Sequence, residues 1–206
     1  MATIRVHALS VILLLSGCAA GKTVDYHTGK SNFSSRFDSD VKLLIAMHDQ
    51  RPYVTSGRKS PSFVGLSRAL NGIPYSVYTK SGRPLAKDFG DLIANTLAGK
   101  EYNVRTMEIN THENPSEHIK KQAQANDKVL IFSVLEWKTD TYTTTSIHYN
   151  MTLSVYTSDG YKLASAFTSG KDALGSKQRA ERQTLANAVV DIVGGLMNEP
   201  SIVAAV

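Results

Sequence analysis

Val129-Leu130-Ile131-Phe132-Ser133-Val134-Leu135-Glu136-Trp137 is the stretch on which the fold turns. It is apolar almost without interruption, which describes a strand buried on both faces and therefore central to its sheet. Downstream, Ile147, Tyr149, Met151, Leu153 and Val155 alternate with His148, Asn150, Thr152, Ser154 and Tyr156. Strict alternation describes a strand with one buried and one wet face. Asp159-Gly160 is a hairpin signal leading into a further strand from Tyr161 to Thr168. A last helix is expected from about Lys177 to Asn198, with Leu185, Ala188, Val189, Ile192 and Leu196 inward and Gly194-Gly195 weakening its final turns.

Upstream, Val41 to Met47 reads as a buried strand and Tyr75 to Thr79 as a second. Between them, residues 48–74 read as one long loop, punctuated by Pro52, Gly57, Pro61, Gly65, Gly72 and Pro74. A loop of that length is uncommon and is often functional or partly structured. Pro84 suits the first turn of a helix whose face is Leu85, Phe89, Leu92, Ile93 and Leu97, with Gly99 as its stop. Tyr102 to Ile109 is a strand, and Asn114-Pro115 opens a short helix to about Ala125. The predicted order β-β-α-β-α-β-β-β-α describes one α+β domain over residues 41–206. Its mixed β-sheet carries helices packed on one face and a C-terminal closing helix.

The 206 residues include a single Cys, which excludes an intrachain disulfide and a multi-Cys zinc site. Arg5 is the only charged residue among the first 17, so the remainder carries 22 Lys+Arg against 18 Asp+Glu. That balance is mild and diffuse, and gives no reason to expect nucleic acid as a partner.

The start of the chain reads as an address. Arg5 is followed by the apolar run Ala8 to Leu15 and then by small residues up to Cys18. This is the layout of a signal peptide over residues 1–17, shorter than a transmembrane helix of ~20 residues. Leu15-Ser16-Gly17-Cys18 resembles the lipobox of bacterial lipoproteins. The resemblance implies cleavage before Cys18, diacylglycerol on its thiol and acylation of its new amino group. With Ala19 and Ala20 next, and no Asp at the second position, it further implies an outer-membrane anchor facing the periplasm of a Gram-negative bacterium. Residues 18–40, rich in Ser, Gly, Lys and Asp with scattered Tyr26, Phe33 and Phe37, read as a flexible tether.

Known catalytic patterns do not match. Gly21-Lys22-Thr23 lacks the earlier Gly and the preceding strand of a phosphate loop. His112 and His118 are six apart with Pro115 between them, so they cannot bind one metal from one helix face, and no metal or cofactor is expected. There is no Gly-x-Ser-x-Gly elbow, and an acylated Cys18 is no nucleophile. Glu136 and Asp140 beside Trp137 read as the end of a strand.

Two groups remain as candidate partner surfaces. Asp49 and Arg51 form either a salt-bridged turn or a binding feature after the first strand. The row His148, Asn150, Thr152 and Tyr156 is the wet, uncharged face of its strand, which costs less to desolvate than a charged one.

The lipobox, the helix-to-strand stretch Leu92 to Val104, and Ala186 to Ile192 with Ser201-Ile202 together resemble the YajG-like family of bacterial lipoproteins. That resemblance spans most of residues 41–203. The longer 48–74 segment with Asp49-Gln50-Arg51-Pro52 departs from the family pattern. The resemblance implies an outer-membrane lipoprotein without assigned catalysis. The expected function is therefore a non-enzymatic envelope lipoprotein docking on an envelope assembly. The alternatives are a periplasmic hydrolase or glycan-binding enzyme using the 48–74 loop, and a carrier with an apolar cavity.

Overall fold

The computed structural model describes residues 21–27, 35–38, 40–176 and 185–206. Cys18, and the start of the expected last helix, lie outside them. Eight strands form one mixed sheet: β1 (Thr23–Val24), β2 (Lys42–Asp49), β3 (Phe63–Arg68), β4 (Pro74–Thr79), β5 (Asn103–Glu108), β6 (Asp127–Thr141), β7 (Thr144–Tyr156) and β8 (Lys162–Ser176). The helices are α1 (Pro52–Thr55), α2 (Leu85–Ala98), α3 (Pro115–Gln122), α4 (Leu185–Met197) and α5 (Pro200–Val203). The architecture is the expected single α+β domain with a C-terminal helix.

The central strand is β6, and it organises the sheet in two halves. Along one side it pairs antiparallel with β7, which in turn pairs with β8. Along the other side it meets two strands end to end. Its first half, Asp127 to Val134, runs parallel to β2, and Thr139 to Thr141 run parallel to β3. Beyond β2 lies β5, also parallel, and beyond β3 lie β4 and then β1. The chain leaves the sheet at Asp49, passes through α1, and returns in line as β3.

Gly65 permits that return. A Cβ at this position would sit 2.0 Å from Thr139 Oγ1 and 2.5 Å from its carbonyl oxygen, so only glycine lets β3 lie against β6 here.

Two apolar layers hold the sheet. One face buries Leu43, Ile45, Leu130, Phe132 and Trp137 under Phe89, Leu92 and Ile93 of α2 and Val189, Val193 and Met197 of α4. Phe89 meets the Trp137 ring edge-on at 4.8 Å. The opposite face carries a smaller cluster, in which α3 lays Ile119 over Leu44, Ala46, Val129 and Ile131. So α2 and α4 share a face as expected of the helices, but the short α3 takes the other, a departure from one-sided packing that the connection from β5 across β2 to β6 requires.

Several expectations need correction. Residues 48–74 contain α1 and β3 rather than one loop; Phe63-Val64-Gly65-Leu66-Ser67 hides its strand because a glycine interrupts the apolar run. The segment taken as tether contributes β1 and the fully buried Tyr26, whose hydroxyl oxygen accepts from Trp137 Nε1 at 2.9 Å. The buried stripe of α4 is Leu185, Ala186, Val189, Val190, Val193, Leu196 and Met197, turned from the expected one so that Ala188 and Ile192 are only partly buried. β8 continues to Ser176 because Gly170 and Gly175 break the sequence pattern without ending the pairing with β7.

Candidate functional site

A cleft of about 400 Å³ opens at the carboxyl ends of β2 and β5. Topology places it there. The connection leaving β2 leads to α2 on one face, whereas the connection leaving β5 leads to α3 on the other. Adjacent parallel strands whose connections part in this way leave a crevice beyond their ends, the usual position of ligand sites in open α/β sheets. The volume falls within the range of small-molecule sites.

The floor is apolar: Ile45 and Met47 from β2, Val54 from α1, and Pro61 and Pro84 at one end. Gly90 of α2 faces it, with Met47 Cγ 3.6 Å from where a Cβ would stand. The rim is charged. Lys87 Nζ lies 2.7 Å from Glu108 and 3.8 Å from Asp91, and Arg83 Nη1 donates to Asp91 at 2.8 Å. The Glu108 hydrogen bond is the main cause that holds the Lys87 ammonium above its ordinary pKa, so Lys87 stays protonated and is poorly suited to general-base work.

On the same helix but outside the cleft lining, Asp88 is buried and accepts from Ser81 Oγ at 2.9 and 2.7 Å and from Arg83 Nη2 at 2.8 Å, with His27 Nε2 3.3 Å away. Here the carboxylate stands between the serine and the histidine. A nucleophilic serine needs the histidine in that middle place, so this trio is a structural clasp.

The far wall is residues 109–112. The Gln50 side chain donates to Thr111 O at 2.6 Å and lies 2.8 Å from His48 Nε2, which itself sits 3.2 Å from Thr111 O. Burial of His48 outweighs these contacts and pulls its pKa below the ordinary value of 6.5.

Asp49 and Arg51 are buried rather than openly exposed, with Asp49 at the edge of the cleft and Arg51 behind it. Arg51 is 0% exposed and sits where β2 stops and β3 has not yet begun. Its Nε and Nη2 hold the two Asp49 oxygens at 2.8 and 2.7 Å. Its remaining donors reach Phe63 O at 2.6 Å, Pro61 O at 3.0 Å and Trp137 O at 3.5 Å. Burial works against the charge, yet the Asp49 carboxylate more than offsets it and Arg51 is held above its ordinary value. Tyr53, also from this segment, donates its hydroxyl to Trp137 O and Glu136 Oε1 at 2.9 Å each. The salt-bridged turn is thus the reading the structure bears out.

The row on β7 is only partly open. His148, Asn150 and Thr152 are half-buried, Ser154 is buried, and Tyr156 packs against the cluster under α3. His118 meets Glu113 at 3.3 Å. Among the described residues no group of three or more His, Cys, Asp or Glu is placed to hold a metal ion. No described helix is long and apolar enough to cross a membrane. Sequence reasoning missed Lys87, Asp91 and Glu108 as a set; the one signal available was Gly90 inside an otherwise strong amphipathic helix.

No protein-family model and no curated protein matches the chain. Among solved structures it is similar to a DUF330 protein from Xanthomonas campestris, at 12% identity over 88% of this chain and 87% of that one, TM-score 0.42. It is also similar to the PelC dodecamer from Paraburkholderia phytofirmans, at 14% identity over 82% and 96%, TM-score 0.40. A lipoprotein from Neisseria meningitidis aligns at 17% identity over 75% and 99%, TM-score 0.31.

Proposed function

We propose that this chain is a lipid-anchored, non-catalytic protein of the bacterial envelope, of YajG-like type, that docks on an envelope assembly from the periplasmic side of the outer membrane. The observation that carries the reading is Leu15-Ser16-Gly17-Cys18, closing an apolar run and holding the sole Cys of the chain. Three acyl chains at ~0.8 kcal/mol per buried methylene exceed what stable anchoring needs. The cleft joins an apolar floor to a charged rim, a chemistry that suits a side chain or short segment of a protein partner. Its ionised groups are paired with one another, which argues against a catalytic use.

Globomycin, or Cys18→Ala, is expected to shift the protein out of the outer-membrane fraction. A Cys18→Ala protein that still fractionates wholly with that membrane overturns the anchor.

The hydrolase or glycan-binding reading has one observation in its favour, since Val54 and Pro61 from residues 48–74 do line the cleft. Gly90→Leu fills the floor and separates the two. Loss of a copurifying envelope protein supports docking; loss of a measurable glycosidase or esterase activity supports the enzyme.

A further inference from the structure

We infer that the β3–β4 turn, with the neighbouring β6–β7 turn, is a membrane-contacting tip that rests in the headgroup layer of the leaflet holding the acylated Cys18. This rests on the anchor reading above and adds an orientation to it.

The first observation is the direction in which the chain enters the fold. β1 is parallel to β4, with Thr23 opposite Tyr78 and Val24 opposite Thr79, and Tyr78 N donates to Lys22 O at 3.0 Å. Lys22 and Gly21 therefore lead from β1 toward the end of the sheet where β4 starts, at Pro74, next to the turn that joins β3 to β4. Cys18 is three residues before Gly21, a reach of at most ~11 Å. In the anchor reading, the acylated residue stays within that distance of Gly21.

The second observation is what stands at that end. Leu70 is 96% exposed, and Ile73, Tyr75 and Tyr142 are exposed with it. The turn is closed by its own backbone: Gly72 N donates to Ala69 O at 2.8 Å, Ala69 N to Ile73 O at 2.9 Å, and Gly72 takes a positive φ of 82°. The Tyr142 hydroxyl donates to Leu70 O at 2.8 Å and ties the two turns together. A solvent-facing turn gains nothing from presenting Leu and Ile in a fixed pose, whereas an interfacial one gains from both, and from tyrosines with an apolar body and a polar tip.

Charge agrees with this. Neither 68–75 nor 141–145 contains an acidic residue, and nearby Asp140 is neutralised by Arg68 at 2.6 Å. Among the described residues, these two turns present no unpaired carboxylate to anionic headgroups.

The test uses the full acylated chain in vesicles of phosphatidylethanolamine and phosphatidylglycerol. The Cys18 thiol is blocked by its thioether, so Leu70→Cys offers one labelling site for an environment-sensitive fluorophore. Tyr161→Cys, beyond the opposite end of β7 and ~40 Å along that strand, is the reference. Headgroup-nitroxide lipids are expected to quench the label at 70 several-fold more than at 161, with a blue-shifted emission only at 70. Equal quenching at the two positions, in protein that floats with the vesicles, overturns the tip while leaving the anchor standing. Failure of the unsubstituted protein to float overturns both. Leu70→Asp with Ile73→Asp, labelled at Tyr142→Cys, is expected to lower quenching at 142 with unchanged flotation; unchanged quenching there also overturns the tip.

Discussion

Two ionic clusters border the same cleft, and they are built in opposite ways. Asp49–Arg51 is sealed inside, with the guanidinium donors spent on one carboxylate and three backbone carbonyls. Arg83, Lys87, Asp91 and Glu108 form a chain of pairs along the rim, partly in water. The first fixes backbone: it holds the gap in which β2 hands over to β3 along β6. The second sets the charge of an opening and can exchange its partners at little expense. Burial, more than the identity of the ions, separates a structural pair from an available one.

Breaking the sealed pair gives the largest effect. Arg51→Ala leaves a buried carboxylate and unsatisfied carbonyls, and is expected to lower stability by ~3–5 kcal/mol in urea unfolding. The double variant Asp49→Leu, Arg51→Met is expected to recover only part of that, because Pro61 O and Phe63 O still lack donors. Full recovery would put the pair on the same footing as the rim.

Arg83 tests the boundary between the classes, since it is half-exposed but serves the buried Asp88. Ser81 continues to donate to that carboxylate, so Arg83→Ala is expected to cost only ~1 kcal/mol. A loss as large as that of Arg51→Ala would move Asp88 into the sealed class.

His48 lies behind the wall of the cleft, and its folded pKa is lowered by burial. The folded state therefore binds this proton less readily than the unfolded state. Its contribution is complete above the unfolded value of 6.5 and is lost as pH falls from there through the folded value. The melting temperature should fall as pH drops below 6.5, and His48→Gln should flatten that part of the profile. Identical profiles would mean that the wall at Thr111 does not depend on a neutral imidazole.

The smallest effect belongs to the rim. Lys87→Ala is expected to change stability by less than ~0.5 kcal/mol, and that difference should vanish in molar salt.

The parts legible in the sequence are those where one physical period dominates. β2, β5, β6 and β7 follow from apolar runs or alternation, and α2 from a face that survives into the structure as Leu85, Phe89, Leu92, Ile93 and Leu97. β3 was hidden because Gly65, required by contact with Thr139, looks locally like a turn. Tyr26 was hidden because its burial depends on Trp137, far along the chain. Asp49 and Arg51 were visible as a pair, but only the handover between β2 and β3 decides that they lie inside. The cleft was not legible at all: its rim comes from three elements whose meeting is set by strand order.

That strand order also governs how the chain acquires its fold in time. β2 is made early, yet Lys42 must find Asn103 on one side and Asp127 on the other. Neither partner exists until half of the polypeptide has been synthesised, and both pairings close long loops, which slows folding. Meanwhile Leu43-Leu44-Ile45-Ala46-Met47 is an unpaired apolar strand, the kind of segment that aggregates or engages a holding chaperone. The strand most protected in the finished molecule is thus the one longest at risk during its making.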